Sequence, residues 1–333
     1  MPVWLSGTWS AFEAIYHFVP EQGNEFPLSS GRNIKIYNMS VLEVENLAKD
    51  YGAVKALKGV SFSVPAGTVF GILGPNGSGK TTLLGIIMDV LKATRGQYRL
   101  FGEVPTERQR RMIGTLLETP NFYHYLSAVE NLRIAAAIKE RGAEDIDRIL
   151  EVVGLSARKN SKFSTYSLGM KQRLAIGSAL LGNPDVLVFD EPTNGLDPVG
   201  IAEIRELIKK LSQEGKTIIM ASHLLDEVEK VCTHVAILKQ GTLITSGHVN
   251  DILVAENVVE LSANDLVQLK TVLEKYDGYS RIVTEGHLIQ IFLPEGTPDL
   301  GRLNEHCFKN GITLNHLQLR KKSLESKFFE LTS

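Results

Sequence analysis

A glycine-rich run at residues 74–82 limits what this chain can fold into more than any other feature of its sequence. The run consists of Gly74, Pro75, Asn76, Gly77, Ser78, Gly79, Lys80, Thr81 and Thr82. It fits the pattern G-x-x-x-x-G-K-[ST], in which glycines let the backbone bend so that its N–H groups point at phosphates. The apolar, β-rich residues 68–73 before it and the helix-like residues 82–88 after it predict a strand, a phosphate-binding loop and a helix, in that order.

Two residues in this run carry functional groups that a glycine-rich turn without a ligand does not require. Lys80 is placed to reach the β- and γ-phosphates of a nucleotide, and the Thr81 hydroxyl to coordinate Mg²⁺. A turn that binds nothing is the alternative, and the flanking strand and helix favour phosphate binding over it. All nine residues of the run are therefore candidate nucleotide ligands.

Length and composition restrict the class of protein around this loop. A chain of 333 residues suggests about two domains, and a net charge of −2 gives no reason to expect nucleic acid as a partner. Cys232 and Cys307 lie far apart without metal-ligand spacing, which suits a reducing cytosol. No apolar run of about 18 residues occurs, so we expect a partner to supply any membrane span.

Residues 1–38 differ in amino-acid composition from the rest of the chain. Apolar side chains recur there at helical spacing, namely Leu5, Trp9, Phe12, Tyr16 and Val19. Two interpretations follow: an amphipathic helix that touches a partner or a membrane, or a poorly ordered extension before a working protein that begins at Met39. We favour the poorly ordered extension, because chain termini are often disordered unless they are tied down.

Residues 39–249 predict an α/β domain. Strand-like segments precede and follow a mostly helical stretch at residues 107–181, in which Ser127 has capping-box spacing. Strands that alternate with helices predict a parallel, doubly wound sheet. Tyr51 lies in a turn ahead of the glycine-rich run, where its position alone fits a ring stacked on adenine or an ordinary turn tyrosine equally well.

Residues 250–333 predict a small accessory α+β domain. Their apolar pattern reads strand, helix, two strands, helix and strand, an order that suggests a ferredoxin-like fold, with a last helix at residues 324–331. No cluster of chemistry-bearing residues stands out in this segment. Two roles stay open for it: regulation or support of dimerisation, and a spacer that stabilises the larger domain.

Two apolar strands after the glycine-rich run end in polar side chains. Asp190 and Glu191 follow the apolar residues 186–189. His223 follows the apolar residues 217–222. Parallel strands place such side chains at the edge of the sheet where α/β folds bind ligands. Asp190 is the candidate Mg²⁺ ligand, Glu191 the candidate general base for an attacking water, and His223 a candidate hydrogen-bond partner of the γ-phosphate.

In this chain order the elements resemble the nucleotide-binding subunit of an ATP-binding-cassette (ABC) transporter. Residues 166–173, Tyr-Ser-Leu-Gly-Met-Lys-Gln-Arg, fall where that family has its signature loop, usually Leu-Ser-Gly-Gly-Gln. Asp197 ends a segment that matches the D-loop, His223 matches the switch histidine, and Tyr51 matches the aromatic A-loop residue. The resemblance covers about residues 41–250.

The resemblance implies a fold and a mode of action. The fold is a P-loop ABC ATPase core with a helical signature subdomain at about residues 119–180, followed by the accessory domain. Two copies, or this chain and a paralogue, pair head to tail and hold each ATP with its Mg²⁺ between the phosphate loop of one and the signature loop of the other. The contacts to ATP across the dimer would come from Ser167, Leu168, Gly169 and Met170. ATP joins the two copies, and hydrolysis releases them.

Two departures from the usual motifs mark a branch of this family. Leu168 and Met170 replace a glycine and the glutamine of the usual signature, and the Leu168 side chain either crowds the phosphate face or points away from it. Glu118 takes the place of the Q-loop glutamine, where a carboxylate can still coordinate Mg²⁺ or orient water. Both changes, together with residues 323–331, resemble the bacitracin-export, lantibiotic-immunity and drug-export ATPases.

That branch implies ATP hydrolysis that powers a separate membrane permease, with this chain cytoplasmic and peripheral on the inner face of the cell membrane. The permease selects the cargo, which the sequence of this chain does not identify. Two other functions stay open: an ABC ATPase without a permease, acting in translation or repair, and a regulator gated by nucleotide. Chains of the first kind usually carry two cassettes or a long coiled coil, and this sequence has neither.

Overall fold

The computed structural model describes a large part of the chain. The described residues are 26–27, 33–34, 40–117, 122–253, 257–293, 298–320 and 328. The chain divides into two compact units, residues 1–39 and residues 40–333. In the first unit, strand β1 (Phe26–Pro27) pairs antiparallel with strand β2 (Asn33–Ile34). The helical face predicted within residues 5–19 lies outside the described residues, and the domain boundaries stay predictions.

The larger unit alternates strands and helices. Its strands are, in chain order, β3 Ser40–Tyr51, β4 Val54–Pro65, β5 Val69–Leu73, β6 Arg95–Leu100, β7 Ile113–Leu116, β8 Val186–Asp190, β9 Thr217–Ser222, β10 His234–Lys239, β11 Thr242–His248, β12 Asn257–Ala263, β13 Arg281–Glu285, β14 Leu288–Leu293 and β15 Leu314–Arg320. Its α-helices are α1 Lys80–Ile87, α2 Glu107–Arg111, α3 Ala128–Lys139, α4 Ile146–Val152, α5 Leu168–Ala179, α6 Pro198–Gln213, α7 Leu225–Val231, α8 Val249–Leu253, α9 Leu266–Leu273 and α10 Leu300–Lys309. Short 3₁₀ turns lie at Ser156–Arg158 and Phe163–Thr165.

A six-stranded sheet in the order β11-β10-β5-β9-β8-β7 carries the candidate site. Its strands are parallel except β11, which runs antiparallel to β10 at one edge. Every residue of β5, β8 and β9 is buried, which explains why these segments are continuous apolar runs in the sequence. The predicted parallel sheet is confirmed, with an antiparallel edge strand added to it.

A three-stranded antiparallel sheet in the order β4-β3-β6 shares a hydrophobic cluster with β5 and α1. In this cluster the Phe62 ring stacks on the Phe70 ring, with centroids 5.4 Å apart. Tyr51 and Val54 are opposite each other where β3 and β4 join. The turn that carries Tyr51 therefore lies at the end of the hairpin formed by β3 and β4.

Helices α3, α4 and α5 form the helical part of the fold between β7 and β8. The predicted capping box at the start of α3 is confirmed: Ser127 N donates to the Glu130 carboxylate at 2.7 Å, and Glu130 N donates to Ser127 Oγ at 3.3 Å. The stretch predicted as mostly helical also contains β7, which the helical periodicity did not indicate. β7 forms because it pairs with β8 in the sheet, and Gly114 lets it approach the carbonyl of Ala179 closely.

The accessory domain has the predicted order of elements, β12-α9-β13-β14-α10-β15. Its antiparallel sheet is ordered β13-β14-β12-β15, and its own hydrophobic cluster includes Val259, Ile291 and Leu303. Of the predicted last helix only Phe328 is described; it is helical and packs against the hydrophobic cluster that includes Phe189 of β8 and Met220 of β9. None of the helices described here combines the length and the apolar character that a membrane crossing requires.

Candidate nucleotide-binding site

The glycine-rich run forms the loop between β5 and α1. Ser78 N donates to Pro75 O at 3.1 Å within this loop. Gly79 has a φ of +103°, and a Cβ at this position would lie 2.6 Å from the Ala56 carbonyl oxygen of β4. Only glycine tolerates both the left-handed backbone and the close approach. The loop is therefore held tightly against β4.

A cavity of about 500 Å³ opens beside the loop, a size typical of small-molecule sites. It is lined by Val54, Lys55, Ala56, Lys58, Asn76, Gly77, Ser78, Gly79, Lys80, Thr81, Thr82, Glu191 and Gln240. Seven of the nine predicted loop residues are in this lining. Three lysines and one glutamate give the wall a net positive charge, which favours an anionic ligand.

Lys80 is nearly buried, with 5% of its surface exposed. Its ammonium donates to the Gly74 carbonyl at 2.8 Å and to the Pro75 carbonyl at 3.4 Å. It also lies 3.3 Å from Glu191 Oε1. A buried ammonium is stable only with such partners. The fold thus joins the cation of the phosphate loop directly to the candidate general base.

Glu191 has an unusual backbone conformation for a residue other than glycine. Its φ is +48°, in the left-handed region, which such residues rarely adopt. The conformation is held by two backbone hydrogen bonds, from Glu191 N to Ala221 O at 3.0 Å and from Asn194 N to Glu191 O at 3.1 Å. Strain of this kind costs on the order of 1–3 kcal/mol and clusters at functional sites. The sequence carries no signal for it.

His223 contacts the same carboxylate from the neighbouring strand. Its Nδ1 lies 2.8 Å from Glu191 Oε2. Because an ionised carboxylate only accepts hydrogen bonds, this contact assigns the proton of the neutral ring to Nδ1. β8 and β9 are adjacent and parallel, so the residues after them lie together, as their positions at strand ends predicted. The direct bond between the two side chains was not predicted.

The groups that would hold Mg²⁺ are the Asp190 carboxylate and the Thr81 hydroxyl. Asp190 ends β8 and is 6% exposed, and Thr81 lines the cavity. Ser78 Oγ is buried with no hydrogen-bond partner among the described atoms, and a Cβ added at Gly74 would clash with it, so it faces back into the loop. Within the described residues no group of three or more His, Cys, Asp and Glu side chains is placed to hold a metal. One carboxylate with hydroxyl and phosphate oxygens suits Mg²⁺, which seldom uses an all-protein cage.

The predicted signature loop begins α5. Ser167 is the N-cap residue, and its Oγ accepts a hydrogen bond from Met170 N at 3.3 Å. Leu168 is 51% exposed, and its Cδ2 would lie 3.4 Å from a Cβ added at Gly195. Met170 packs against the hydrophobic core, whereas a Cβ added at Gly169 would meet no atom within 4 Å. The exposed residues of this loop are therefore Ser167 and Leu168, with Leu168 beside Gly195 of the predicted D-loop.

Two further predicted residues, Asp197 and Tyr51, are among those that the structure describes. Asp197 is the N-cap of α6, where its carboxylate accepts a 2.8 Å hydrogen bond from a backbone N–H. Tyr51 ends β3, with the Lys49 ammonium 4.9 Å from its ring centroid, and its cross-strand partner Val54 lines the cavity. Glu118 lies outside the described residues, and its role stays a prediction.

Five residues in the cavity wall belong to none of the predicted motifs, and three of them, Lys55, Lys58 and Gln240, are polar or charged. Lys55 and Lys58 come from β4, and Gln240 comes from the turn between β10 and β11. In the sequence, the two lysines are only positive charges that precede the loop, and no motif marks them as cavity residues. No sequence pattern predicted Gln240 as a cavity residue, because it reaches the cavity only through the pairing of β10 with β5, two strands that are far apart in the sequence.

Comparison with known proteins places this geometry in a family. A family model described as ABC transporter matches residues 57–194. The chain is 38% identical over 299 residues to YhcH of Bacillus subtilis, an uncharacterised ABC transporter ATP-binding protein. The alignment covers 88% of this chain and 96% of that protein. It is 34% identical to the bacitracin transport ATP-binding protein BcrA of Enterococcus faecalis, over 87% of this chain and 96% of that protein. The lantibiotic transport ATP-binding protein SrtF of Streptococcus pyogenes is 36% identical over 68% of this chain and 98% of its own length.

Solved structures agree with the sequence relatives. The ADP conformation of MJ1267, an ATP-binding cassette of an ABC transporter, has a TM-score of 0.59 and 31% identity, covering 64% of this chain and 92% of that one. A dimeric post-hydrolysis state of the ATP-binding cassette MJ0796, bound to ADP and Pi, has a TM-score of 0.55 and 28% identity, covering 62% of this chain and 98% of that one. With its phosphate loop, its sheet and these relatives, the chain belongs to the ATP-binding proteins of ABC transporters.

Proposed function

We propose that this chain hydrolyses ATP and thereby drives a separate membrane permease that exports a peptide antibiotic or a drug. The observation that carries the proposal is the meeting of Lys80, Glu191 and His223 beside the phosphate loop. Glu191 lies 3.3 Å from the lysine and 2.8 Å from the histidine. ATP hydrolysis requires a carboxylate held next to the phosphate-binding cation. Nucleotide binding alone does not require one.

The phosphate loop and Lys80 bind the triphosphate. Backbone N–H groups at the start of α1 favour an anion, and the Lys80 ammonium adds a full positive charge. On binding, phosphate oxygens replace Glu191 as the partner of this ammonium. The exchange frees the Glu191 carboxylate to accept a proton from water that attacks the γ-phosphate.

We infer that Thr81 and Asp190 hold Mg²⁺, with Glu118 as a further predicted ligand. When bound, the ion neutralises negative charge that develops on the phosphate oxygens. The buried Asp190 carboxylate at the end of β8 and the Thr81 hydroxyl at the start of α1 supply the hard oxygen ligands that this ion prefers.

His223 orients Glu191 in this mechanism. Its Nδ1–H donates to the carboxylate, so the neutral ring has an acceptor at Nε2, and only the imidazolium can donate from Nε2 to a phosphate. The first role of His223 is therefore to hold the base, and any donation to the γ-phosphate requires the charged ring. Tyr51, by its place beside the cavity, is the proposed platform for the adenine ring.

The transport role is inferred from the relatives. Two of them are named for bacitracin transport and lantibiotic transport, and a solved relative is dimeric. We infer that two copies of this chain, or this chain and a paralogue, enclose ATP through Ser167 and Gly169, with Asp197 at the dimer contact. The dimer acts on the cytoplasmic face of the membrane, attached to a permease.

Replacing Glu191 tests the hydrolytic part of the proposal. We expect Glu191→Gln to retain ATP binding and to lose about 10²–10⁴-fold in turnover, because the amide no longer accepts the proton. The measurements are steady-state phosphate release and binding of a fluorescent ATP analogue. Glu144→Gln, at an exposed glutamate in a turn, is the matched control and should hydrolyse ATP like the wild type. Wild-type turnover in Glu191→Gln removes the general-base assignment.

Purification from membranes tests the transport part. We expect the tagged chain, expressed with its chromosomal neighbours, to co-purify with an integral membrane protein and to confer resistance to a peptide antibiotic. Co-purification with ribosomes, and no membrane partner, contradicts this role. Tight ATP binding without turnover in the purified complex would instead support the nucleotide-gated regulator.

A further inference from the structure

We propose that the turn between β10 and β11, formed by Gln240 and Gly241, positions the phosphate loop for nucleotide binding. Neither residue belongs to the motifs identified above. The inference rests on the proposed ATP site and adds to it a backbone support supplied by β10 and β11, which lie beside β5 in the sheet.

Two backbone hydrogen bonds join the turn to its neighbours. Gly241 N donates to the Ser78 carbonyl of the phosphate loop at 3.0 Å. The Gly241 carbonyl accepts from Lys58 N of β4 at 2.8 Å. The turn therefore bridges the loop and β4 through a single residue, and a movement of either one is resisted by the other.

Steric contacts fix this residue as glycine. Gly241 has a φ of +80°, and a Cβ there would lie 2.6 Å from the Ala56 carbonyl oxygen and 3.2 Å from the Lys55 carbonyl oxygen. Gly79 approaches the same Ala56 oxygen, at 2.6 Å from its own Cβ position. One carbonyl of β4 is thus the common contact for the phosphate loop and for the turn, and neither place tolerates a side chain.

The turn has a defined conformation. Gln240 has a φ of +48° and Gly241 a φ of +80°, and Lys239 pairs with Thr242 across them. Positive φ at both central residues is the mark of a two-residue type I′ hairpin turn, in which glutamine is not a favoured residue. Gln240 nonetheless occupies it, and this residue lines the cavity beside the phosphate loop.

The hydrogen bond to Ser78 has a consequence for the anion site. A trans peptide holds its C=O and N–H on opposite sides. When Gly241 holds the Ser78 carbonyl, the N–H of Gly79 in the same peptide points away from the turn. The turn thereby sets the direction of a backbone donor in a loop that binds phosphate through such donors.

Replacing Gly241 by alanine tests the inference. Gly241→Ala should weaken binding of a non-hydrolysable fluorescent ATP analogue with Mg²⁺ by about tenfold, the effect of losing one well-placed hydrogen bond. The KM for ATP should rise with kcat little changed, because such a contact serves ground and transition states alike. The matched control is Gly59→Ala, since Gly59 in β4 has a φ of +88° with no atom within 4 Å of its Cβ position. It carries the same backbone strain without the clash and should bind within about threefold of the wild type.

The outcomes separate the inference from the proposed function. A wild-type chain that does not bind the analogue overturns both. Wild-type binding with unchanged affinity in Gly241→Ala, or an equal loss in Gly59→Ala, overturns the inference alone. Should Gly241→Ala not fold, hydrogen exchange on the wild-type chain decides the matter. The Gly241 amide should exchange at least about tenfold more slowly with the analogue bound, and equal exchange rates contradict the inference.

Discussion

At the residue scale, the side chains of Lys80, Glu191 and His223 are partners of one another in the site. Lys80 and Glu191 form an ion pair that is mostly buried, and His223 binds the second oxygen of the same carboxylate. Removing one member of such a set leaves another without its partner, which costs more than the contact itself contributes. Substitutions here therefore change function and stability together, and binding has to be measured separately from turnover.

Lys80→Ala should lower ATP affinity about 10–100-fold, because a charge-assisted hydrogen bond to phosphate is worth roughly 1.5–3 kcal/mol. Calorimetric titration with the nucleotide measures the loss, and circular dichroism checks that the fold is retained. Lys162→Ala, at an exposed lysine in the helical part of the fold, should bind like the wild type. Unchanged affinity in Lys80→Ala refutes the phosphate-loop assignment.

At the element scale, helix ends position the functional loops. Ser167 caps the start of α5, and at the other end Lys139 of α3 donates to the Ser178 carbonyl at 2.6 Å. Burial lowers the pKa of Lys139 to about 8, with a smaller contribution from the Arg141 charge. The helix that carries the signature loop is thus fastened to α3 by an ammonium that is costly to keep charged.

The pH dependence of stability should report this contact. Because the folded pKa of about 8 lies below the unfolded value of 10.5, the unfolded chain binds more protons between these pH values. The Lys139 contribution to the free energy of unfolding should therefore rise between pH 8 and pH 10.5, by about 2 kcal/mol. Denaturant titrations of the wild type and Lys139→Met across this range measure the difference. The exposed-site variant Lys162→Met should follow the wild type, and parallel curves for wild type and Lys139→Met would contradict the prediction.

At the scale of the whole molecule, the accessory domain is connected to the ATPase core by more than the chain. The domain has its own sheet and hydrophobic cluster. Phe328, in the last predicted helix of that domain, packs against the hydrophobic cluster of the ATPase core that also contains residues of β8 and β9. Loss of this contact should therefore destabilise the part of the molecule that holds Glu191 and His223.

Phe328→Ala should lower the midpoint of thermal unfolding. Truncation of a partly buried phenylalanine costs on the order of 1–2 kcal/mol, less than the cost for a fully buried one. That corresponds to a drop of a few degrees in a protein of this size. Scanning calorimetry measures it. Phe308→Ala is the matched control, because Phe308 is exposed on α10 and should leave the midpoint within about one degree. Equal midpoints for the two variants count against the contact.

The dimer proposal has a test of its own. With Mg·ATP, Glu191→Gln should sediment as a dimer, since the nucleotide is not turned over. Adding Ser167→Glu should keep it monomeric, because a carboxylate would then face the γ-phosphate bound to the other copy and repel it. Ser156→Glu, at an exposed serine in the same helical region, is the control and should dimerise. A Ser167→Glu protein that dimerises equally well rules out the trans contact.

The sequence alone determined the parts of this protein that local patterns specify. The glycine-rich run with its flanking strand and helix, the capping box at Ser127 and the βαββαβ order of the accessory domain are all found in the structure. These features depend on backbone freedom, capping and apolar periodicity, which act over a few residues. Asp190, Glu191 and His223 were predictable as candidates for a related reason, because strand ends of a parallel sheet share one edge.

Only the tertiary structure decided which of these groups touch. The Lys80–Glu191 pair, the left-handed Glu191 and the Gly241 turn beneath the phosphate loop all depend on strand order. That order brings together segments separated by more than a hundred residues. Such contacts arise from the joint burial of β5, β8, β9 and β10, and no local pattern encodes them, because burial is a property of the assembled sheet and not of any one segment.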